Sequence, residues 1–260
     1  MPNKFAIITG ASTGIGFELA TLAAQNGYDI LVVANEALID AAAADFKQFG
    51  TTVQSINADL STIAGVDDVL AATGGRTIDL LFANAGTGTG GAFLDQDVAT
   101  WRFAVDTNIT GTLYLVQRVL KDMVARDAGK ILVTGSIAGY IPGAFNAVYN
   151  GTKAFIDNFT EALRNEIKES KGVTLTTLMP GATETEFFDR AGMEDTSVGQ
   201  AKKDDPAKVA KDGWDALMSG KGHIVSGLHN KLQVAAAGVV PQSVLAEAHR
   251  HMAEPGSGKD

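Results

Sequence analysis

Seven short apolar runs recur along the chain, each bounded by polar or glycine-rich stretches. Phe5–Ile8, Asp29–Ala34, Val53–Ala58, Leu80–Ala83, Lys130–Thr134, Val173–Met179 and His223–Ser226 lack the strict polar alternation of half-exposed strands, and so predict strands buried on both faces. Helical stretches separate them: Ile15–Asn26, an alanine-rich segment from Glu36 to Phe49, and a helix holding Asp67–Ala72. Val98–Arg126 and Ala147–Lys171 are each long enough for a helix of many turns. Strand–helix alternation at this spacing predicts a single α/β domain, a doubly wound parallel sheet of about seven strands with helices on both faces, of Rossmann type. That domain is expected to span 1–254, with Pro255–Asp260 as a disordered tail.

Composition narrows the function classes. The 260 residues are 45% hydrophobic and 20% charged, enough for a sizeable core and unlike a disordered or fibrous chain. Cysteine is absent, which removes disulfides, thiolate metal sites and a cysteine nucleophile. A net charge of −9 disfavours nucleic acid and anionic membrane as partners. The longest apolar candidate for a span, Val234–Val240, is far short of the roughly 20 residues that a bilayer needs. Met1-Pro2-Asn3-Lys4 runs straight into the first strand, with no long apolar core or small-residue cleavage site, so a cytoplasmic protein is expected. Against 6 prolines stand 29 glycines, and several of these carry chemistry.

Thr9-Gly10-Ala11-Ser12-Thr13-Gly14-Ile15-Gly16 follows the first strand and opens a helix. Such a turn lets the backbone approach a pyrophosphate, while the helix N-terminus offers free N–H groups and the positive end of its dipole. Turn glycines alone would produce a similar triplet; the strand before and the helix after give this one its weight. Three residues separate Gly10 from Gly14, unlike the general G-x-G-x-x-G fingerprint. T-G-x-x-x-G-x-G resembles the short-chain dehydrogenase/reductase family, in its single-domain branch of roughly 250 residues. The resemblance implies NAD(H) or NADP(H) as cofactor, with Gly10, Ser12, Gly14, Ile15 and Gly16 around the pyrophosphate. Glu36 lies 20 residues past Gly16, and a carboxylate there would bind a ribose diol and repel a 2′-phosphate, a lean toward NAD(H). An exposed glutamate at a helix start is the competing reading for Glu36.

Further matches fall beyond the carboxyl ends of strands, where ligands bind in open α/β sheets. Asp59-Leu60 stands where family members hold the adenine. Asn84-Ala85-Gly86 resembles the family's N-A-G, although Ala83 replaces its usual preceding asparagine. Pro180-Gly181-Ala182-Thr183-Glu184-Thr185 fits the P-G segment, and the resemblance gives Thr185 the nicotinamide amide.

Tyr149 and Lys153 sit four apart in a helical stretch, so their side chains share one face. An ammonium beside a phenol, joined by the charge of an oxidised nicotinamide, favours phenolate; in the reverse direction the phenol donates its proton to a carbonyl oxygen. Ser136 precedes Tyr149 by 13 residues, the separation shown by the family, and its hydroxyl would orient the substrate oxygen. The family places an asparagine at Asn108 that bends its helix and joins a proton relay to the lysine. Tyr149 and Lys153 are expected to touch the cofactor as well. Alone, each would be an ordinary surface, turn or mid-helix residue; together Asn108, Ser136, Tyr149 and Lys153 stand in family order.

No metal site is expected, since the four histidines (His223, His229, His249, His251) fall late, without ligand spacing. Gly86–Gly91 with Ala92-Phe93-Leu94, the residues Ile137, Tyr140, Ile141 and Phe145, and a mobile lid after Thr185 that carries Phe187 and Phe188 are read as the substrate walls. An apolar ketone, aldehyde or alcohol is the expected substrate. The resemblance also implies a homodimer or homotetramer built on the two long helices. A non-catalytic dinucleotide-binding or redox-sensing protein that keeps the fold is the alternative to an NAD(P)-dependent oxidoreductase.

Overall fold

In the computed structural model, which describes residues 3–258, seven strands form: β1 (Phe5–Thr9), β2 (Asp29–Ala34), β3 (Val53–Asn57), β4 (Leu80–Ala83), β5 (Gly129–Thr134), β6 (Val173–Met179) and β7 (His223–Val225). All pair in parallel, in the order β3-β2-β1-β4-β5-β6-β7. Successive side chains of a strand face opposite sides, and both sides here are covered. Ala6, Ile8, Ile30, Val32, Leu80 and Phe82 pack under α1 (Gly14–Gln25), α2 (Leu38–Phe46) and α9 (Pro206–Met218). On the other side Ile7, Leu31, Val33, Leu81, Ile131 and Val133 pack under α3 (Ile63–Ala72), α5 (Thr112–Ala125) and α6 (Ala147–Glu166). The apolar runs contain no polar alternation because neither face meets water. β3 departs from this: Gln54 and Asn57 are exposed, as befits an edge strand with a single neighbour.

Three expectations are corrected. The segment 98–126 is not one regular helix; α4 (Val98–Val105) and α5 are joined by a π-helical turn, Asp106–Gly111. A crossover helix, α9, lies between β6 and β7, where only a lid was read. Its signals were local: Asp205 caps Ala207 N at 3.1 Å, Pro206 opens the helix, and Val209, Ala210, Trp214 and Leu217 form its buried stripe. The tail read as disordered from Pro255 is hydrogen-bonded through Gly258: Gly256 N donates to Asp195 Oδ2 at 2.8 Å and Gly258 N to Asp195 O at 2.8 Å. Ser257 Oγ also accepts from Ser197 N at 3.0 Å. Lys259 and Asp260 lie outside the described residues. The short helices α7 (Phe187–Arg190) and α8 (Ser197–Gln200) precede α9, and α10 (Leu228–Ala237) and α11 (Gln242–Ala253) follow β7.

Strand order reverses between β1 and β4, whose crossovers leave on opposite sides, so the cleft opens above their carboxyl ends. The wall of that cleft is backbone packed on backbone. A Cβ on Gly111, in the π turn, would run into the Leu60 carbonyl. Gly111→Ala is therefore expected to destabilise the fold by about 1–3 kcal/mol, read as a lower midpoint in denaturant unfolding with an unchanged slope.

Candidate active site

β1 ends in Thr9, whose buried hydroxyl bridges to β4: it donates to Phe82 O at 3.2 Å and accepts from Asn84 N at 2.9 Å and Ala85 N at 3.0 Å. The chain then turns through Gly10 (φ +64°) and Gly14 (φ +58°), a left-handed region that disfavours side chains with a Cβ. Gly16 leaves no room for a Cβ beside the Gly10 carbonyl. Thr13 begins α1 without any side-chain cap, and no acidic residue occupies the first turn. The first N–H groups of α1 therefore lack a capping side chain and a competing negative charge, as an anion cradle requires. These residues fit a dinucleotide pyrophosphate.

Not every expected contact faces that cradle. Asn84 spends its side chain inside the protein, donating to Thr9 O at 3.2 Å and accepting from Thr134 Oγ1 at 2.9 Å. Asp59 turns its carboxylate to Ser61 N at 2.9 Å, at the entry to α3. Both set the cleft floor through their positions. Gly86 lies against Asn108 and Lys153, with room for a Cβ only at 3.3 Å from Asn108 Oδ1 and 3.5 Å from Lys153 Nζ. Gly181 packs on Asn230 at the end of β6. The Pro180 carbonyl accepts from Ile137 N at 3.0 Å and from Ser136 Oγ at 3.4 Å.

Glu36 does not stand free at its helix start. Ser12 Oγ donates to its carboxylate, and Arg190 Nη2 reaches both oxygens, at 3.0 and 3.1 Å. Arg190 comes from α7, so the segment after β6 is tied to the glycine loop and β2. Thr185 Cγ2 also presses on Gly14. Arg190 was missed by sequence reading, because 154 residues separate it from its partner.

The four candidate catalytic residues come together on the other side of the cleft. Asn108 lies in the π turn, where the extra residue widens the helical hydrogen-bond pattern. Its side-chain amide donates to Thr87 O at 2.9 Å and Thr152 Oγ1 at 3.0 Å, while its Oδ1 accepts from Thr87 N at 2.9 Å. These bonds clamp the loop after β4 to α6. Ser136 stands two residues beyond β5, and its hydroxyl accepts from Ala138 N at 3.1 Å, capping the short turn Ile137–Tyr140. On α6, Lys153 is buried and donates to Thr134 O at 2.8 Å; its Nζ stands 5.8 Å from the centre of the Tyr149 ring.

Burial pushes the Tyr149 phenol up to about 12; the facing Ser136 hydroxyl lowers it and the Asp157 carboxylate raises it. Burial also drives Lys153 well below the usual lysine range, with Asp157 opposing that fall. Asp157, one turn beyond Lys153, was not singled out in the sequence, although the spacing Tyr149, Lys153, Asp157 repeats every four residues. Phe187 covers the phenol, ring centres 4.9 Å apart, and itself packs on Gly88. Phe188, Ala191 and Met193 form a small apolar cluster with Ala253, joined by Phe145 and Phe187. His249 is committed to the Ala144 carbonyl at 2.9 Å. Among the described residues no three His, Asp or Glu side chains gather as a metal site, and no helix is long and apolar enough to cross a membrane.

Comparison with known proteins agrees with this geometry. The family model described as short chain dehydrogenase matches residues 4–195. An uncharacterized oxidoreductase of Staphylococcus epidermidis is 32% identical over 211 residues, covering 80% of this chain and 88% of that protein. A serine 3-dehydrogenase of Agrobacterium fabrum is 34% identical over 185 residues, covering 70% and 72%. Among solved structures, a short-chain dehydrogenase from Sphingobium yanoikuyae in complex with NADPH superposes with a TM-score of 0.81 at 27% identity, covering 92% of this chain and 97% of that one. The bulky-bulky ketone specific alcohol dehydrogenase from Comamonas testosteroni gives 0.77 at 25% identity, covering 96% and 99%. With the seven-stranded parallel sheet and the glycine turn at its switch point, these matches place the chain in the short chain dehydrogenase family of oxidoreductases.

Proposed function

We propose that this protein moves a hydride between a nicotinamide cofactor and an uncharged carbonyl/alcohol pair, with Tyr149 as general acid and base. The observation that carries the reading is the convergence of Asn108, Ser136, Tyr149 and Lys153 beside an uncapped glycine turn able to cradle a pyrophosphate. When bound, the cofactor supplies the hydride for reduction and accepts it in oxidation. The protein handles the proton. A phenol with its pKa near 12 remains protonated at neutral pH, the form needed to protonate a carbonyl oxygen. Ser136 would turn its hydroxyl from the long Pro180 contact to the same oxygen and stabilise charge there. In oxidation, the Lys153 ammonium favours phenolate. Asn108 keeps the loop after β4 in register with α6.

Phe187 against Tyr149, with the apolar cluster of Phe188, Phe145 and Met193 behind it, favours an apolar ketone, aldehyde or alcohol. Glu36, oriented by Ser12, supports a preference for NAD(H), with Arg190 offsetting part of its charge. The stacked, half-exposed Phe155 and Phe159 on α6 support a homodimer or homotetramer through that helix. A cytoplasmic setting remains part of this reading.

A panel of alcohols and carbonyls, followed at the nicotinamide absorbance band with both cofactors, tests the assignment. Turnover of apolar substrates is expected, with Tyr149→Phe reducing it by at least ~100-fold, the scale of general acid–base catalysis. Cofactor binding without turnover across the panel would instead favour a dinucleotide-binding protein that has lost the chemistry. In fluorescence titrations NADH is expected to bind more tightly than NADPH, and Glu36→Ala to narrow the difference; tighter NADPH binding by the unmutated chain would refute the cofactor preference. The raised phenol pKa has a consequence for stability. The unfolded chain ionises Tyr149 near 10 and the folded chain near 12, so its contribution is complete below pH 10 and is lost as the pH climbs to 12. Melting temperatures measured across that interval should fall more steeply for the unmutated protein than for Tyr149→Phe.

A further inference from the structure

Beyond Lys153, α6 carries a third chemistry-bearing residue on the same face. Asp157 lies one helical turn on, and its carboxylate is directed at the Ser136 loop rather than at solvent. A Cβ on Gly135 would collide with Oδ1, and one on Gly139 would come within 2.5 Å of Oδ2. The two glycines flanking Ser136 thus leave a slot that the carboxylate fills. Neither oxygen is accessible to water, no side-chain donor bonds to either, and the Ser136 backbone N–H is the donor that faces them. A buried carboxylate with so little hydrogen bonding is costly, and a nearby cation is the usual compensation.

The groups around it are few. From α6 itself, Lys153 and Tyr149 face Asp157; from the β5–α6 loop, Tyr140 and the Ser136 backbone N–H do so. Glu161, one turn further along α6, acts on Tyr140 as well. Lys153 meanwhile gives a hydrogen bond to a neutral acceptor, the Thr134 carbonyl, so that bond brings no negative charge to the ammonium. Asp157 brings it, from beyond ion-pair contact.

We propose that Asp157 is a positioning residue of this site: wedged between Gly135 and Gly139, its carboxylate seats the Ser136 loop against α6 and keeps the Lys153 ammonium charged. Burial raises the carboxyl and lowers the lysine, while the attraction between them opposes both shifts, so the two groups titrate as a pair. The charge that steers Tyr149 between phenol and phenolate is thereby set one turn away from the reacting groups. This inference rests on the placement of Lys153 beside Tyr149 in the proposed function, but its test needs neither substrate nor cofactor.

The experiment is a pH titration of the whole protein labelled with ¹³C at lysine Cε and at the aspartate carboxyl carbon, with Lys153→Met and Asp157→Asn assigning the two signals. In the unmutated chain, each signal is expected to show a step where the other titrates; two independent single-step curves would overturn the proposal without any variant having to fold. In Asp157→Asn, the Lys153 midpoint is expected to fall by about one unit or more, the effect of removing one nearby charge, and Asp157→Glu to restore most of the shift. A folded Asp157→Asn protein with an unmoved Lys153 midpoint would equally refute it. Where turnover is established, the limb of the kcat–pH profile that reports lysine deprotonation should move to lower pH in Asp157→Asn, a displacement that loss of packing alone does not produce. Absence of turnover in the unmutated chain would count against the proposed function and leave the titration readout intact.

Discussion

The close approach of backbone to backbone where the strand order reverses governs everything built above it. Thr9 ties the end of β1 to the end of β4 through three hydrogen bonds, and Gly10 sits so near Ala85 that a Cβ would stand 2.9 Å from its Cα. The crossovers leaving β1 and β4 cover opposite faces, so the gap between them cannot be filled by either set of helices. It remains a cleft with a rigid floor. Asn84 extends that floor to β5 by bonding Thr9 on one side and Thr134 on the other. Thr134 in turn receives Lys153 through its carbonyl, so the phosphate cradle and the proton-handling pair share one continuous hydrogen-bonded base.

Two sets of charges organise the walls of this cleft. On one side, Glu36 is held by Ser12 and by Arg190, which joins the segment after β6 to the glycine loop. On the other, Tyr149, Lys153 and Asp157 alternate phenol, cation and carboxylate along a single face of α6. Burial works against every charged form in that row, and the proximity of lysine and carboxylate is what makes their charged forms tenable. Phe187 packs against the Tyr149 ring and removes part of its contact with water, which strengthens both effects.

Much of this was legible along the chain because its signals are local. Unbroken apolar runs marked strands buried on both faces, and the four-residue spacing of Tyr149 and Lys153 placed them on one helix face. The resemblance implied a bend at Asn108, but not its π-helical form, which follows from how Asn108 docks on Thr87 and Thr152. α9 was overlooked although Asp205-Pro206 is a good helix start; lysines and a glycine dilute its apolar stripe. The tail offered small and polar residues with no periodicity, and its hydrogen bonds go to acceptors on Asp195 and come from donors on Ser197, some sixty residues away.

Sequence alone determined the sheet, its parallel sense and the glycine turn, while the resemblance to the short-chain dehydrogenase/reductase family pointed to the four converging residues. The first three are encoded in spacing within one element or between neighbouring ones, where chain geometry leaves few alternatives. Tertiary structure decided the partners: that Asn84 turns inward, that Asp59 turns to the entry of α3, that Glu36 meets Arg190, and that Asp157 fills the slot between Gly135 and Gly139. Those outcomes depend on which distant backbones are brought within hydrogen-bonding or Coulombic range and how much water is removed between them, and neither quantity is written in local sequence pattern.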